Sequence, residues 1–218
     1  MNRIKAIIFD MDGVLINSET TWRKAEDRFL KDLCGEEKYW EIRPNLIGAT
    51  PEQIYDSVLG IGITLSRELF SNAYNKEVKN VYNDSKLTPG IKLLLNFLEK
   101  KNLLIGLVSS SPKSWIDLVL TRFGKTKRVF KTIITLSEQM ALRPKPYPDG
   151  YQEAMKKLKV KPITTIIVED SPTGVSSAKA SGAYTICFTE FLETDIPKNA
   201  DLYAKNVSEL QKIIEERI

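Results

Sequence analysis

The sequence predicts an α/β fold, in which helices cover a parallel sheet and a helical module is inserted after the first strand. Short runs of branched apolar residues, typical of buried parallel strands, recur along the chain. From residue 89 onward they alternate with helical patterns, which indicates a parallel sheet with helices on both faces. Between residues 19 and 84 the patterns are helical and strong strand runs are absent.

Five apolar runs are the predicted strands. Residues 4–9, 103–108 and 166–168 form the strongest runs, and residues 131–135 and 184–188 form weaker ones. In open α/β sheets, ligands bind at the carboxyl ends of the strands. We therefore expect functional side chains directly after these runs.

Capping signals predict where the later helices begin. Ser111 and Ser171 each precede a proline, which indicates a serine N-cap followed by proline at the first helical position. Pro148 opens another helix, and Ser208 with Gln211 forms a capping box for the last one. The predicted buried stripes include Ile91, Leu94, Leu95 and Leu98 on one helix and Tyr151, Ala154, Met155 and Leu158 on another.

The inserted segment contains three predicted helices. They lie at residues 20–33, at residues 51–59 with Thr50 as N-cap, and at residues 66–81. We predict two domains: a core of residues 1–17 and 85–218, and a helical domain of residues 18–84.

The 218-residue chain contains no histidine. Ser-His-Asp and Cys-His catalysis, a histidine general base and the usual histidine-bearing zinc sites are therefore excluded. Carboxylates, hydroxyls and lysine remain, with or without a hard metal ion. The two lone thiols, Cys34 and Cys187, match neither a disulfide framework nor a zinc spacing, which favours a reducing, cytoplasmic setting.

The formal charge of +4 arises from 32 basic and 28 acidic residues, with the lysines spread along the chain. Nucleic-acid-binding proteins cluster such charges, so we expect no nucleic-acid partner. The first nine residues do not match a signal peptide and no stretch is long enough to span a bilayer, so we expect no membrane partner. We expect a monomer or a weak homo-oligomer.

An acidic pair, Asp10 and Asp12, follows the first strand. One carboxylate can act as nucleophile and the other as general acid/base, because their environments can separate their pKa values. Gly13 would permit the sharp turn that keeps both near one point. An ordinary turn also explains this string.

Serines and a lysine follow at later positions. Ser109 and Ser110 lie at the end of the second strong strand, where hydroxyl and backbone N–H groups can hold phosphate oxygens. Helix capping is the alternative, and it is the better explanation for Ser111. Lys145 lies on a proline-rich loop that would hold its ammonium at low entropic cost, placed to neutralise a nucleophile–phosphate pair. Arg143 is the competing cation.

A second acidic pair, Glu169 and Asp170, follows the third strong strand. Beside Asp10 and Asp12 these carboxylates would repel one another unless a cation lay among them. Oxygen ligands without histidine or cysteine favour a hard ion, so all four residues are predicted Mg²⁺ ligands. Stabilisation of the next helix by acids at its N-terminus explains Glu169 and Asp170 locally, but not their proximity to the first pair.

The ordered set resembles the haloacid dehalogenase superfamily of phosphatases and phosphomutases over nearly the whole chain. The motif matches, in order, are residues 10–15, Ser109, Lys145 and Glu169-Asp170. Residues 18–84 are similar to the helical cap of the subgroup whose cap follows the first motif, and residues 87–90 resemble the return into the core.

The resemblance implies a Rossmann-like core and an enzyme in which Asp10 attacks phosphorus and becomes an aspartyl-phosphate. Asp12 would protonate the leaving oxygen and then activate water. Mg²⁺ would be held by the Asp10 carboxylate, the Asp12 carbonyl and Asp170. Glu169 would bind the ion through a water molecule, or would contact the ligands and not the ion. Ser109, Ser110 and Lys145 would bind the phosphoryl oxygens.

Within the superfamily, residues 17–19 with Trp22 resemble the sugar- and hexitol-phosphate phosphatases, which implies a small phosphate monoester as substrate. Asn17 departs from the aspartate more usual there. A β-phosphoglucomutase-like isomerase is the alternative, but that branch uses a histidine and an arginine where this chain has Trp22 and Pro51. A non-enzymatic phospho-accepting signalling domain is a third possibility, but it leaves no place for residues 18–84.

Overall fold

The computed structural model describes residues 3–46, 51–192 and 196–218, so the predicted Thr50 cap lies outside the described residues. The strands are β1 (Ala6–Phe9), β2 (Ile16–Asn17), β3 (Lys86–Leu87), β4 (Leu104–Ser109), β5 (Phe130–Thr135), β6 (Thr165–Glu169), β7 (Tyr184–Phe188) and β8 (Leu202–Ala204). The helices are α1 (Glu19–Cys34), α2 (Glu36–Ile42), α3 (Pro51–Gly60), α4 (Arg67–Asp84), α5 (Ile91–Lys100), α6 (Lys113–Thr121), α7 (Asp149–Leu158), α8 (Pro172–Ala180) and α9 (Val207–Glu215). Within these described ranges, no helix has both the length and the apolar character that crossing a membrane requires.

Six strands form one parallel sheet in the order β5-β4-β1-β6-β7-β8. β1 is one of the two central strands, and its Ile8 pairs with Gly106 of β4 and Ile167 of β6. All four β1 residues are buried, as expected of a central strand in a sheet flanked by helices. The predicted fold class is confirmed.

The chain divides into two compact units, one of residues up to Asn17 with Lys86–Ile218 and the other of Ser18–Ser85. These boundaries lie within one residue of the predicted domain limits. In the second unit, α1 and α4 pack together, and the Tyr74 hydroxyl donates to Glu26 at 2.8 Å. Helix α2 was not predicted, because seven residues are too few to show a clear period.

The capping predictions have mixed outcomes. Ser171 caps α8 as predicted, since its Oγ accepts a backbone N–H at 3.1 Å, and α7 begins directly after Pro148. The Ser111 prediction is wrong, because α6 begins two residues later. The Ser208 capping box is also wrong, because Asn206 caps α9 and Ser208 lies inside the helix. Asparagine is as good an N-cap as serine, and Asn206 caps the helix two residues before the predicted position.

A buried apolar cluster fixes the carboxyl ends of the central strands. Its burial removes apolar surface from water, which is the main stabilising contribution to folding. The members from four strands and from α7 include Ile8, Val108, Ile134, Ile167, Tyr151, Ala154, Met155 and Leu158. The loops that leave these strand ends therefore start from rigid positions.

Candidate active site

The loop after β1 carries the first acidic pair in a tight turn. The Asp10 N–H donates to a carbonyl of β6 at 3.0 Å, and the Met11 carbonyl accepts from the N–H groups of residues 14–16. Gly13 has a φ of 71°, in the left-handed region that favours glycine. A Cβ atom at Gly13 would also overlap the Asp170 carboxylate. The turn is therefore built to bring the first acidic loop against Asp170.

Lys145 is a buried cation of this site. Its Nζ lies 2.6 Å from Asp10 Oδ1 and 2.5 Å from Glu169 Oε1, and only 7% of its side chain is exposed. Burial by itself would lower the pKa of Lys145, but the charges of Asp10 and Glu169 outweigh that effect and raise the pKa above its ordinary value. Lys145 therefore stays charged beside Asp10 and Glu169.

Arg143, the competing cation, pairs with Asp149. Its Nε and a terminal nitrogen donate to the Asp149 carboxylate at 3.1 and 2.8 Å, and its backbone N–H donates at 3.0 Å. The guanidinium also lies 4.3 Å from the centroid of the Tyr147 ring. These contacts close the loop that carries Lys145, and they leave Lys145 as the cation that touches Asp10.

Glu169 is fully buried and is enclosed by hydrogen-bond donors. Its Oε1 accepts from Lys145 and from the Tyr151 hydroxyl, the latter at 2.6 Å. Its Oε2 accepts from the Asp170 N–H at 3.0 Å and from the Ser171 hydroxyl at 3.3 Å. Gly174 packs so closely that a Cβ there would overlap the carboxylate. The orientation of Glu169 is therefore fixed from several sides.

Three carboxylates form a cluster that fits a hard metal ion. Asp10, Glu169 and Asp170 offer oxygens within 4.8 Å of one another, and all three residues are buried. Burial raises the pKa of Asp10 well above its ordinary value; Lys145 opposes this shift, while Glu169 and Asp12 add to it. A cation among these oxygens would offset the repulsion, and an oxygen-only donor set suits Mg²⁺.

The serine loop after β4 is joined to the acidic loop. Ser109 Oγ accepts from the Ser111 N–H at 3.0 Å, and the Ser111 hydroxyl donates to Asp12 Oδ2 at 3.1 Å. Ser109 is buried, Asp12 is partly exposed and Ser110 is exposed. The structure thus brings Ser109 to the Asp12 side of the site, and the phosphate-binding roles of Ser109 and Ser110 stay predictions.

Sequence reasoning missed two site contacts. It placed Tyr151 in an apolar stripe and treated Ser111 as a helix cap. The signal for Tyr151 was its hydroxyl, because a buried phenol usually finds a hydrogen-bond partner. No comparable local signal marks Ser111, whose partner is 99 residues away in sequence.

Comparison with known proteins assigns the family. The sequence profile of haloacid dehalogenase-like hydrolases matches residues 7–188, a span that contains both acidic pairs and Lys145. The chain belongs to this family. As a haloacid dehalogenase-like hydrolase, it has the parallel sheet and the helical insertion that its sequence predicted, with β8 as a sixth strand that the sequence did not predict.

Two curated relatives of this haloacid dehalogenase-like hydrolase are named as phosphatases. The Saccharomyces cerevisiae protein "Probable pseudouridine-5'-phosphatase" is 32% identical over 194 residues, which cover 84% of this chain and 81% of the relative. Hexitol phosphatase B of Escherichia coli K12 is 29% identical over 188 residues, which cover 82% and 81%.

A solved structure from Thermotoga maritima, provisionally described as a β-phosphoglucomutase, has a similar fold. The TM-score is 0.79 at 23% identity, and the match covers 99% of this chain and 100% of that one. At this identity, the likeness concerns the fold alone.

Proposed function

We propose that this chain is a Mg²⁺-dependent phosphatase that hydrolyses a small phosphorylated metabolite through an aspartyl-phosphate on Asp10. The observation that carries the proposal is the contact of the buried Lys145 ammonium with Asp10, beside the carboxylates of Glu169 and Asp170. A carboxylate held against a fixed cation is suited to attack a phosphoryl group, whose transfer depends on positioning and charge neutralisation. The phosphatase names of the two curated relatives support the same reaction class.

In this proposal Asp10 attacks phosphorus in line and the bond to the leaving oxygen breaks. Asp12 gives that oxygen a proton, and then takes one from the water that attacks phosphorus. The bond between phosphorus and the Asp10 oxygen breaks, inorganic phosphate leaves and the Asp10 carboxylate is restored. Asp12 is suited to both steps because it is partly exposed and so accessible to water, while Asp10 is buried. The Ser111 hydroxyl, at 3.1 Å from Asp12 Oδ2, fixes the orientation of this acid/base.

The Mg²⁺ ion would be held by the Asp10 carboxylate, the Asp12 carbonyl and Asp170. Glu169 would bind it through a water molecule, or would contact these ligands and not the ion. When bound, the ion supplies positive charge that orients and neutralises the phosphoryl oxygens. Lys145 would bind a phosphoryl oxygen beside Asp10, and Ser109 and Ser110 would bind others. Lys145 is already desolvated by the protein, so it needs little rearrangement to do so.

We propose a sugar or polyol phosphate as the substrate, because the two curated relatives are named for a nucleoside phosphate and for hexitols. The helical unit of Ser18–Ser85 is the proposed cap domain that selects it. No nucleic-acid or membrane partner is part of the proposal.

The test is a phosphate-release screen over sugar, polyol and glycolate phosphates. We expect turnover with Mg²⁺, none in EDTA, and recovery when Mg²⁺ is restored. Asp10→Asn should abolish turnover, whereas the control Asp117→Asn, which alters an exposed aspartate of α6, should keep it. Turnover by Asp10→Asn, or rescue by zinc alone, would count against the proposal.

The mutase alternative is tested in parallel with glucose 1-phosphate. A phosphomutase would convert it to glucose 6-phosphate and release little free phosphate, whereas the proposed phosphatase releases phosphate and forms no isomer. Steady turnover with excess substrate also excludes a signalling domain that is phosphorylated only once.

A further inference from the structure

Tyr151 is a buried residue of α7 whose hydroxyl reaches the acidic site. Its ring is fully buried among apolar side chains that include Val108 and Met155, as expected of a core aromatic residue. Its hydroxyl leaves this apolar environment and donates to Glu169 Oε1 at 2.6 Å. A buried phenol needs a hydrogen-bond partner, and the partner of Tyr151 is a carboxylate of the site.

The acceptor of the Tyr151 hydroxyl is the oxygen that also contacts Lys145. Glu169 Oε1 lies 2.5 Å from Lys145 Nζ, which in turn lies 2.6 Å from Asp10 Oδ1. The Lys145 ammonium also lies 5.4 Å from the centroid of the Tyr151 ring. One carboxylate oxygen is therefore held by the phenol on one side and holds the ammonium on the other.

The remaining contacts of Glu169 come from a different direction. Its Oε2 is held by the Asp170 N–H and by Ser171, at the start of α8. These bonds hold Oε2. Oε1 is held by Lys145, which lies on a loop, and by the Tyr151 hydroxyl, which comes from the buried helix α7. Tyr151 is therefore the helical contact to the oxygen that pairs with Lys145.

We propose that Tyr151 is a positioning residue, which acts through Glu169 to hold the Lys145 ammonium at the distance from Asp10 that phosphoryl transfer requires. The kinetic part of this inference rests on the proposed function. Tyr151 itself touches neither Asp10 nor the reacting atoms, so its effect passes through the Glu169 carboxylate.

The Tyr151→Phe variant removes the hydroxyl and keeps the ring. We expect kcat to fall about tenfold, the size associated with one hydrogen bond to a charged group, and KM to change less than about twofold. Inhibition by orthovanadate, which imitates the five-coordinate phosphorus, should weaken by about the same factor as kcat.

The matched control is Tyr39→Phe. Tyr39 is also buried and also donates to a carboxylate at 2.6 Å, that of Asp27, but it lies in the helical unit. The Tyr39→Phe variant should lower the melting temperature as Tyr151→Phe does and leave kcat and vanadate inhibition unchanged. A Tyr151→Phe enzyme with wild-type kcat, or an equal loss of kcat in both variants, would overturn the inference.

A second measurement does not depend on turnover. The ¹⁵N resonance of the Lys145 ammonium, assigned with Lys145→Arg, reports the environment of Nζ directly. We expect it to shift or broaden in Tyr151→Phe and in Glu169→Gln, and to stay in place in Tyr39→Phe. An unchanged Lys145 resonance in the first two variants would refute the positioning role. If the wild type hydrolyses none of the phosphate esters, the proposed function fails, and the resonance still decides the role of Tyr151.

Discussion

Gly13 and Asp170 lie so close together that a Cβ atom at position 13 would overlap the Asp170 carboxylate. The two residues belong to loops at the ends of β1 and β6, which are neighbours in the sheet. Gly13 also has a φ of 71°, so two independent constraints favour glycine there. This contact sets how near the first acidic loop comes to the second.

We therefore expect Gly13→Ala to lower Mg²⁺ affinity by at least about tenfold, because the new methyl group must displace Asp170. Calorimetric titration with Mg²⁺ measures this. The control is Gly124→Ala, at a φ of 56° where an added Cβ meets no atom of the described residues within 4 Å. That variant should lose about 1 kcal/mol of stability from backbone strain and keep its Mg²⁺ affinity. Equal Mg²⁺ affinities in the two variants would show that the contact between Gly13 and Asp170 does not affect Mg²⁺ binding.

Asp10 gives a pH-dependent stability prediction. Burial is the largest cause that raises the pKa of Asp10, so the folded metal-free chain holds that proton more tightly than the unfolded chain. Stability then falls as the pH rises from the unfolded pKa through the folded one. In EDTA, Asp10→Asn should melt at a higher temperature than the wild type, and this difference should widen as the pH rises above the ordinary pKa of an aspartate.

Mg²⁺ should narrow this gap, because it binds the ionised carboxylate of the wild type. Differential scanning calorimetry across the pH range measures both effects, with Asp117→Asn as an exposed control that follows the wild type. A gap that stays constant or narrows as the pH rises would show that Asp10 is not the destabilised acid.

Lys145 and Arg143 should differ sharply as sites of substitution. Lys145→Ala removes the cation that touches Asp10, and we expect kcat to fall by about two to three orders of magnitude. Arg143→Ala breaks the pair with Asp149 on the loop and should lower kcat by about tenfold or less, because Lys145 remains in place. Steady-state kinetics of the two variants compares them. A larger loss in Arg143→Ala would reverse the assignment.

The two cysteines should be inert in the folded protein. Both Cys34 and Cys187 are buried and free. Burial, with the charges of Asp170 and Glu169, raises the pKa of Cys187 to about 12, and burial also raises the pKa of Cys34. Because the thiolate is the reactive form, Ellman's reagent should label neither thiol until urea unfolds the chain. Rapid labelling of native Cys187 would contradict its burial.

The main strands were predictable because most are continuous runs of buried, largely apolar residues, although β5 alternates, with Lys131 and Ile133 exposed. Residues 184–188 match β7 in full, and the runs that became β1, β4, β5 and β6 agree within two residues. β8 was missed because it has only three residues and its Tyr203 is exposed, which leaves no apolar run to detect. The pair of β2 and β3 has two residues in each strand and is equally invisible in the sequence.

The site was predictable in its order along the chain and unpredictable in its supporting contacts. The rule that function lies at the carboxyl ends of parallel strands places Asp10 and Glu169 near one another, because β1 and β6 are adjacent. The same rule says nothing of the Tyr151 hydroxyl, which meets Glu169 only because α7 packs against the sheet. It is equally silent on whether Lys145 or Arg143 turns toward Asp10, since side-chain direction on a loop depends on its tertiary contacts.

Asp10 as the nucleophile is tested most directly by trapping its phosphorylated form. The wild type, mixed with p-nitrophenyl phosphate and Mg²⁺ and quenched in acid within one turnover, should carry the mass of one phosphoryl group on the peptide that contains Asp10. Asp10→Asn should carry none. Phosphate release without that adduct, accompanied by undiminished release from Asp10→Asn, would contradict the account.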